Sequence, residues 1–151
     1  MNGIYKYLSA IFAAGVVLQI GLAGYGAFYA AHKSDANTPK VITHDSFEHG
    51  FGPHALFGTL LVLIGIVLLI VAAAGRLGRR RIKLTAILAG LLILQMILAG
   101  VGASVPVVGA LHGINALAIF GLGMMIAMGA WGRGHRRHPS PPPDAPEAHA
   151  H

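Results

Sequence analysis

The chain contains no cysteine, which excludes structural disulfides and thiolate metal sites. Charged residues are also scarce, at 11% of 151 residues, whereas 55% of the residues are hydrophobic. The apolar residues form continuous blocks rather than amphipathic stripes, which predicts a lipid bilayer as the partner of the helix surfaces. The net charge of +6 does not predict a nucleic-acid partner, because the positive residues cluster beside apolar segments as topology determinants do.

Four apolar segments are long enough to cross a bilayer, which takes about 20 residues per helix. They predict an all-α fold, an integral membrane four-helix bundle within residues 1–132. The first segment is too long for the apolar core of a signal peptide, so we expect it to be retained. The predicted helices cover residues about 4–31, 53–74, 84–104 and 107–131.

Positive residues beside these segments predict the orientation in the cell membrane. The cations on one side are Lys6, Arg76, Arg79, Arg80, Arg81, Lys83, Arg133, Arg136 and Arg137. The connection 32–52 instead mixes Lys33 and Lys40 with Asp35, Asp45 and Glu48. The positive-inside rule then places both termini in the cytoplasm and the 32–52 loop outside. Residues 133–151 are rich in proline and lack an apolar period, which predicts a disordered cytoplasmic tail.

A short phrase occurs twice in the chain. Leu-Gln-x-x-Leu-Ala-Gly-x-Gly-Ala spans residues 18–27 and returns at residues 94–103. The repeat predicts two tandem helical hairpins that run in the same direction. Their pseudo-twofold axis would then lie along the membrane normal, as in parallel repeats.

Each predicted hairpin has one histidine near the start of its second helix. Pro53 suits the first turn of that helix in the first hairpin, and His54 follows it. His112 lies six residues after Pro106 in the second hairpin. Two neutral imidazoles opposed across a bundle suit the two axial positions of a haem iron, so His54 and His112 are the predicted metal ligands.

Small and polar residues surround the two histidines in the predicted helices. Gly58 and Ala116 share helix faces with His54 and His112, and Gly24 and Gly100 lie on the first helices of the hairpins. These small residues suit either the approach of a flat macrocycle or plain helix packing. Asn115 suits two roles equally, orienting His112 or a haem propionate, or pairing with a backbone carbonyl.

Two further groups of polar residues carry weaker predictions. Gln19 and Gln95 lie near mid-membrane and favour an interhelical hydrogen bond, with a bond between the two repeats as one form of it. His44, His49 and His54 are spaced five apart, which does not align them on a helix. In a loop they would converge on copper or zinc, although nothing in the pattern enforces this.

These residues resemble the haem A synthase family. The segment from the third to the fourth helix in one half of those proteins resembles Leu94–Pro106 together with Ala110-Leu111-His112 and Ala116. The start of their second helix resembles His54-Ala-Leu-Phe-Gly58. The resemblance implies a four-helix half that binds haem between histidines. The family's active half has a glutamate and an arginine where this chain has Phe51 and Ala55, and many members have an outward cysteine pair. The resemblance therefore implies haem binding rather than hydroxylation, and a homodimer that would rebuild the two-half assembly.

The sequence thus predicts a membrane protein with one bis-histidine haem b near the outer face, for electron transfer or haem handling. Its predicted partners are a quinol or an outer redox protein. The alternative is a cofactor-free or chlorophyll-binding accessory subunit packed in a larger membrane complex. Whether the protein is an enzyme stays open, since the missing glutamate argues against haem A or haem O chemistry.

Overall fold

The computed structural model describes residues 1–36 and 39–132, and this part of the chain contains four α-helices and no strand. The helices are α1 (Asn2–Asp35), α2 (His44–Ala74), α3 (Arg79–Gly102) and α4 (Pro106–Trp131). All four are long and apolar enough to cross a membrane. The predicted all-α, multi-pass four-helix bundle is therefore confirmed, and the predicted disordered tail at 133–151 lies outside the described residues.

Helix α2 begins earlier than the sequence predicted, at His44 instead of Pro53. Thr43 caps its start, because the Thr43 side-chain oxygen accepts a hydrogen bond from the Ser46 backbone N–H at 3.1 Å. Asp45 adds a negative charge to the first turn, which favours the positive end of the helix dipole. The prediction that Pro53 lies in the first turn is wrong, since Pro53 lies inside the helix.

The four helices pack in a ring in chain order. Helix α1 contacts α2 and α4, and α3 contacts α2 and α4, so α1 and α3 lie on one diagonal and α2 and α4 on the other. The ends of the bundle differ in composition. We call the end with Met1 and the connection 75–78 the basic end, and the end with the connection 36–43 and the turn 103–105 the histidine end.

Equivalent positions of the two repeats form the core. The buried residues of α1 include Ser9, Phe12, Ala13 and Val16. Each has a buried counterpart in α3 at the spacing that separates Gln19 from Gln95, namely Thr85, Leu88, Ala89 and Leu92. In α2, Leu61, Gly65 and Leu68 have buried counterparts in α4 at the spacing that separates His54 from His112, namely Ile119, Gly123 and Ile126. The described core thus follows the repeat that the sequence phrase predicted.

Glycines bring the helices of each hairpin together at the histidine end. A Cβ placed on Gly26 would lie 2.9 Å from the Gly50 carbonyl oxygen, and one placed on Gly102 would lie 2.8 Å from the Gly109 Cα. Such backbone contacts are available only to residues without side chains. Beyond these equivalent glycines the hairpins differ, because α3 ends at Gly102 while α1 continues from Gly26 to Asp35.

We expect Gly102→Ala to destabilise the protein by about 1–3 kcal/mol, because the added methyl group would force α3 and α4 apart. Gly100→Ala is the matched control, since a Cβ there meets no atom within 4 Å. This control should be neutral or stabilising by up to about 1 kcal/mol. Thermal unfolding of both variants in one detergent measures the difference, and equal midpoints would contradict the close backbone packing.

Candidate functional site

His54 and His112 lie beside each other at the centre of the bundle. Their helices, α2 and α4, are diagonally opposite and are not packed against each other. Their ring centroids are 6.3 Å apart and their ring planes are inclined by 62°. Both residues are half-buried. His54 lies about 15 Å along α2 rather than within its first turn, because α2 begins at His44. His112 lies about 9 Å along α4, close to the predicted depth.

A glutamine of the same hairpin holds each histidine through three contacts. In the first hairpin, Gln19 Nε2 donates to the His54 carbonyl oxygen at 2.8 Å and lies 3.4 Å from His54 Nε2, while His54 Nδ1 lies 3.2 Å from the Gln19 carbonyl oxygen. In the second hairpin, the same atoms of Gln95 and His112 are separated by 3.1, 3.1 and 3.2 Å. We call each of these arrangements a Gln–His clasp.

The clasp determines which imidazole nitrogen carries the proton. A backbone carbonyl oxygen only accepts hydrogen bonds, so the Nδ1 atom of each histidine must donate to it. Nε2 is then the unprotonated nitrogen of the neutral ring, and it accepts from the glutamine amide. Both rings therefore carry their lone pair on Nε2, the atom that a metal ion would bind.

The glutamines were predicted to form interhelical hydrogen bonds, and they do so within each hairpin, so neither described glutamine bond joins the two repeats. Gly58 makes room for the first clasp, because a Cβ on this residue would lie 2.8 Å from Gln19 Nε2. The clasp partner was missed by the sequence analysis. The repeated Leu-Gln phrase was the available signal, since it recurs once for each histidine.

Asn115 makes the second clasp more complete than the first. Its side-chain amide donates to the Leu91 carbonyl oxygen at 2.9 Å and to Gln95 Oε1 at 2.6 Å. Asn115 therefore both pairs with a backbone carbonyl and fixes the glutamine that holds His112. Phe57 lies at the equivalent position of the first hairpin, and Gln19 Oε1 is buried with no hydrogen-bond partner. An unpaired buried acceptor costs about 1–3 kcal/mol, so the first clasp is the weaker one.

The other predicted site residues occupy different surroundings. A Cβ on Gly24 or Gly100 would meet no atom within 4 Å, so these glycines leave open space beside α1 and α3. Ala116 is half-buried on α4. Their predicted role beside a cofactor stays a prediction. Phe51, unlike them, reaches the site, with its ring 6.4 Å from that of His54 in an edge-on arrangement.

His44 and His49 do not join His54. Each pairs within the first turns of α2, where His44 Nδ1 lies 3.7 Å from Glu48 Oε2 and His49 Nδ1 lies 3.2 Å from Asp45 Oδ1. Within residues 1–36 and 39–132, no group of three or more histidine or carboxylate side chains converges on a metal position. The predicted convergence of His44, His49 and His54 is therefore wrong, because these residues lie on a helix rather than in a loop.

The chain was compared with protein families, curated proteins and solved structures. A family model described as a family of unknown function (DUF6220) matches residues 19–103, which is more than half of the chain. The match contains Gln19, His54 and Gln95 and ends before His112. No curated protein and no solved structure matches the chain. Nothing in these comparisons supports the resemblance to haem A synthases.

We expect Asn115→Leu to destabilise the protein by about 1–3 kcal/mol, because Gln95 Oε1 would lose its buried donor. The second clasp would then match the first, with an unpaired glutamine oxygen, and both His54 and His112 should keep Nδ1 protonated through the backbone carbonyl oxygens. Thermal unfolding and ¹⁵N NMR of histidine-labelled protein measure the two effects. Phe57→Leu, at the equivalent position of the first hairpin, should leave both tautomers unchanged. An unfolding midpoint that stays unchanged in Asn115→Leu would contradict the role of Asn115.

Proposed function

We propose that this chain, which belongs to the DUF6220 family of unknown function, is a membrane haem protein. One haem b is held between His54 and His112 in this proposal, for electron transfer or for haem handling. The observation that carries it is the pair of opposed imidazoles, one from each repeat, whose lone pairs are both on Nε2.

The spacing of the rings fits the proposed ligands. Two imidazoles on opposite sides of one metal ion, each bonded at about 2 Å, have ring centres about 6 Å apart. The His54 and His112 rings have centres 6.3 Å apart. Each Nδ1–H is held by a backbone carbonyl oxygen, which is the outer partner that ligand histidines commonly have and which raises the basicity of Nε2.

The residues around the pair have separate roles in the proposal. The amides of Gln19 and Gln95 lie beside Nε2 of each ring and would have to release it for the two histidines to hold a haem. Gly58 and Ala116 keep the faces beside the histidines small. In the proposal a flat ring would approach α1 and α3 at Gly24 and Gly100, where an added Cβ meets no atom within 4 Å. Asn115 keeps His112 oriented through Gln95.

With both axial positions filled by histidines, a bound haem supplies reversible one-electron transfer rather than oxygen binding. The half-buried rings lie between the bundle interior and the histidine end, so a redox partner approaches from that end. A quinol in the bilayer or a redox protein outside the membrane is the proposed partner. A homodimer or a larger membrane complex is the proposed assembly.

The orientation in the cell membrane is also part of the proposal. The described cations of the basic end are Lys6, Arg76, Arg79, Arg80, Arg81 and Lys83, and the positive-inside rule assigns this end to the cytoplasm. Both termini then lie in the cytoplasm, and the histidine end, with the connection 36–43, lies outside.

A second candidate function is a cofactor-free accessory subunit of a larger membrane complex. The observation that favours it is the glutamine amide within 3.4 Å of each Nε2, which satisfies both imidazoles without any ligand. A subunit that binds chlorophyll, with one histidine per magnesium, is a variant of this candidate. The absorption spectrum of the purified protein separates haem, chlorophyll and colourless forms.

We expect the purified protein to bind one haemin and to give a low-spin spectrum in the oxidised and reduced states. His54→Ala or His112→Ala should each convert it to a high-spin form, because one axial ligand is lost, and the double variant should not bind. His49→Ala is the control, since His49 is an exposed histidine of the same helix. A low-spin spectrum that survives in the double variant would overturn the proposed ligands.

We expect Gln19→Leu and Gln95→Leu to bind haemin more tightly than the original chain, by up to about tenfold each. The reason is that binding no longer breaks a hydrogen bond to Nε2, and such a bond contributes about 0.5–1.5 kcal/mol. The same variants should be less stable without haemin. Equilibrium titration and thermal unfolding measure the two effects, and weaker haemin binding in both variants would show that the clasp supports the ligand rather than competing with it.

A further inference from the structure

The basic end has many cations and no described carboxylate. Within residues 1–36 and 39–132, the acidic residues are Asp35, Asp45 and Glu48, and all three lie at the histidine end. Lys40 at that end pairs with Asp35 at 2.8 Å. Within the described residues, the arginines of the basic end have no carboxylate partner of this kind.

An open cavity lies at this end between the start of α1 and the connection of α2 to α3. It has a volume of about 620 Å³ and is lined by Asn2, Gly75, Arg76, Leu77, Gly78 and Arg81. The two arginines are the only charged residues in this lining. The cavity lies where the helices leave the apolar part of the chain, which is the depth of lipid headgroups.

Arg81 is held in place but is not fully hydrogen-bonded. Its Nη1 donates to Asn2 Oδ1 at 2.7 Å, and its guanidinium lies 5.5 Å from the centre of the Tyr5 ring. Its Nε is buried and has no hydrogen-bond partner. A desolvated donor without an acceptor is costly, and a small turn of the guanidinium toward an anionic oxygen would offset that cost. Guanidinium groups bind phosphate oxygens in pairs, which suits this donor set.

We propose that the cavity between Asn2, Arg76 and Arg81 binds a phosphate group at the membrane surface. Anionic phospholipids present such groups at this depth and are attracted to basic residues beside membrane helices. Inorganic phosphate offers the same chemistry from solution. The site is independent of the histidine pair, because it lies at the opposite end of the bundle.

The other described cations of the basic end do not line the cavity. Lys6 lies 3.6 Å from the centre of the Trp131 ring, where it makes a cation–π contact. Arg79 and Lys83 are exposed and do not line the cavity. A general attraction between the basic end and anionic lipid would depend on all of these charges equally, whereas the proposed site depends on Arg76 and Arg81.

The test measures binding of phosphatidylglycerol to the full chain in neutral detergent by native mass spectrometry, with phosphatidylcholine as the uncharged comparison. Arg76→Gln/Arg81→Gln should weaken phosphatidylglycerol binding about tenfold or more, since two cations beside the headgroup are lost. Arg79→Gln/Lys83→Gln removes the same charge outside the cavity and should weaken binding less than about twofold. Arg76→Gln alone leaves the contacts of Arg81 with Asn2 and Tyr5 intact and should show an intermediate loss of binding. This single variant tests the site even if the double variant fails to fold.

Competition with inorganic phosphate identifies the source of the phosphate group. If millimolar phosphate displaces the lipid and its effect is lost in Arg76→Gln, the site binds phosphate from solution. If phosphate has no effect and lipid binding follows the cavity arginines, the ligand is the headgroup. Equal losses in the two double variants, or equal binding of phosphatidylcholine, would overturn the site.

Discussion

A bilayer offers no water to unpaired polar groups, and this constraint determines how the chain places its few polar side chains. Gln95 satisfies it through His112 and Asn115, whereas Gln19 satisfies it only with its amide nitrogen, which donates to His54. In both hairpins the histidine Nδ1 also bonds to the glutamine backbone carbonyl oxygen, which fixes the orientation of the imidazole. The same interaction therefore joins the helices of a hairpin and orients the ring that faces the other hairpin.

The repeat explains why a chain of this size builds a site at its centre. Each hairpin contributes one clasp, and the ring order of the helices places α2 and α4 on a diagonal where the two histidines meet. One difference between the halves alters the clasps. Asn115 completes the second clasp, while Phe57 leaves Gln19 Oε1 without a donor. The histidines are thus equivalent in position but not in how firmly they are held.

The four helices and the opposed histidines were predictable, because apolar blocks and a repeated phrase are visible without knowing any contact. The start of α2 was not predictable, since residues 44–52 are mostly polar residues and glycines. Their helix depends on the Thr43 cap and on packing against α1. The clasps required the register between helices, which sequence does not give. Only that register shows that Gln19 lies beside His54 and that Asn115 reaches Gln95.

The unequal lengths of the hairpins have a consequence for access to the histidine pair. At the histidine end, α1 and α2 extend past Gly26 and Gly50, whereas α3 and α4 end at the turn 103–105. The pair is therefore shielded on one side and lies near the surface on the other.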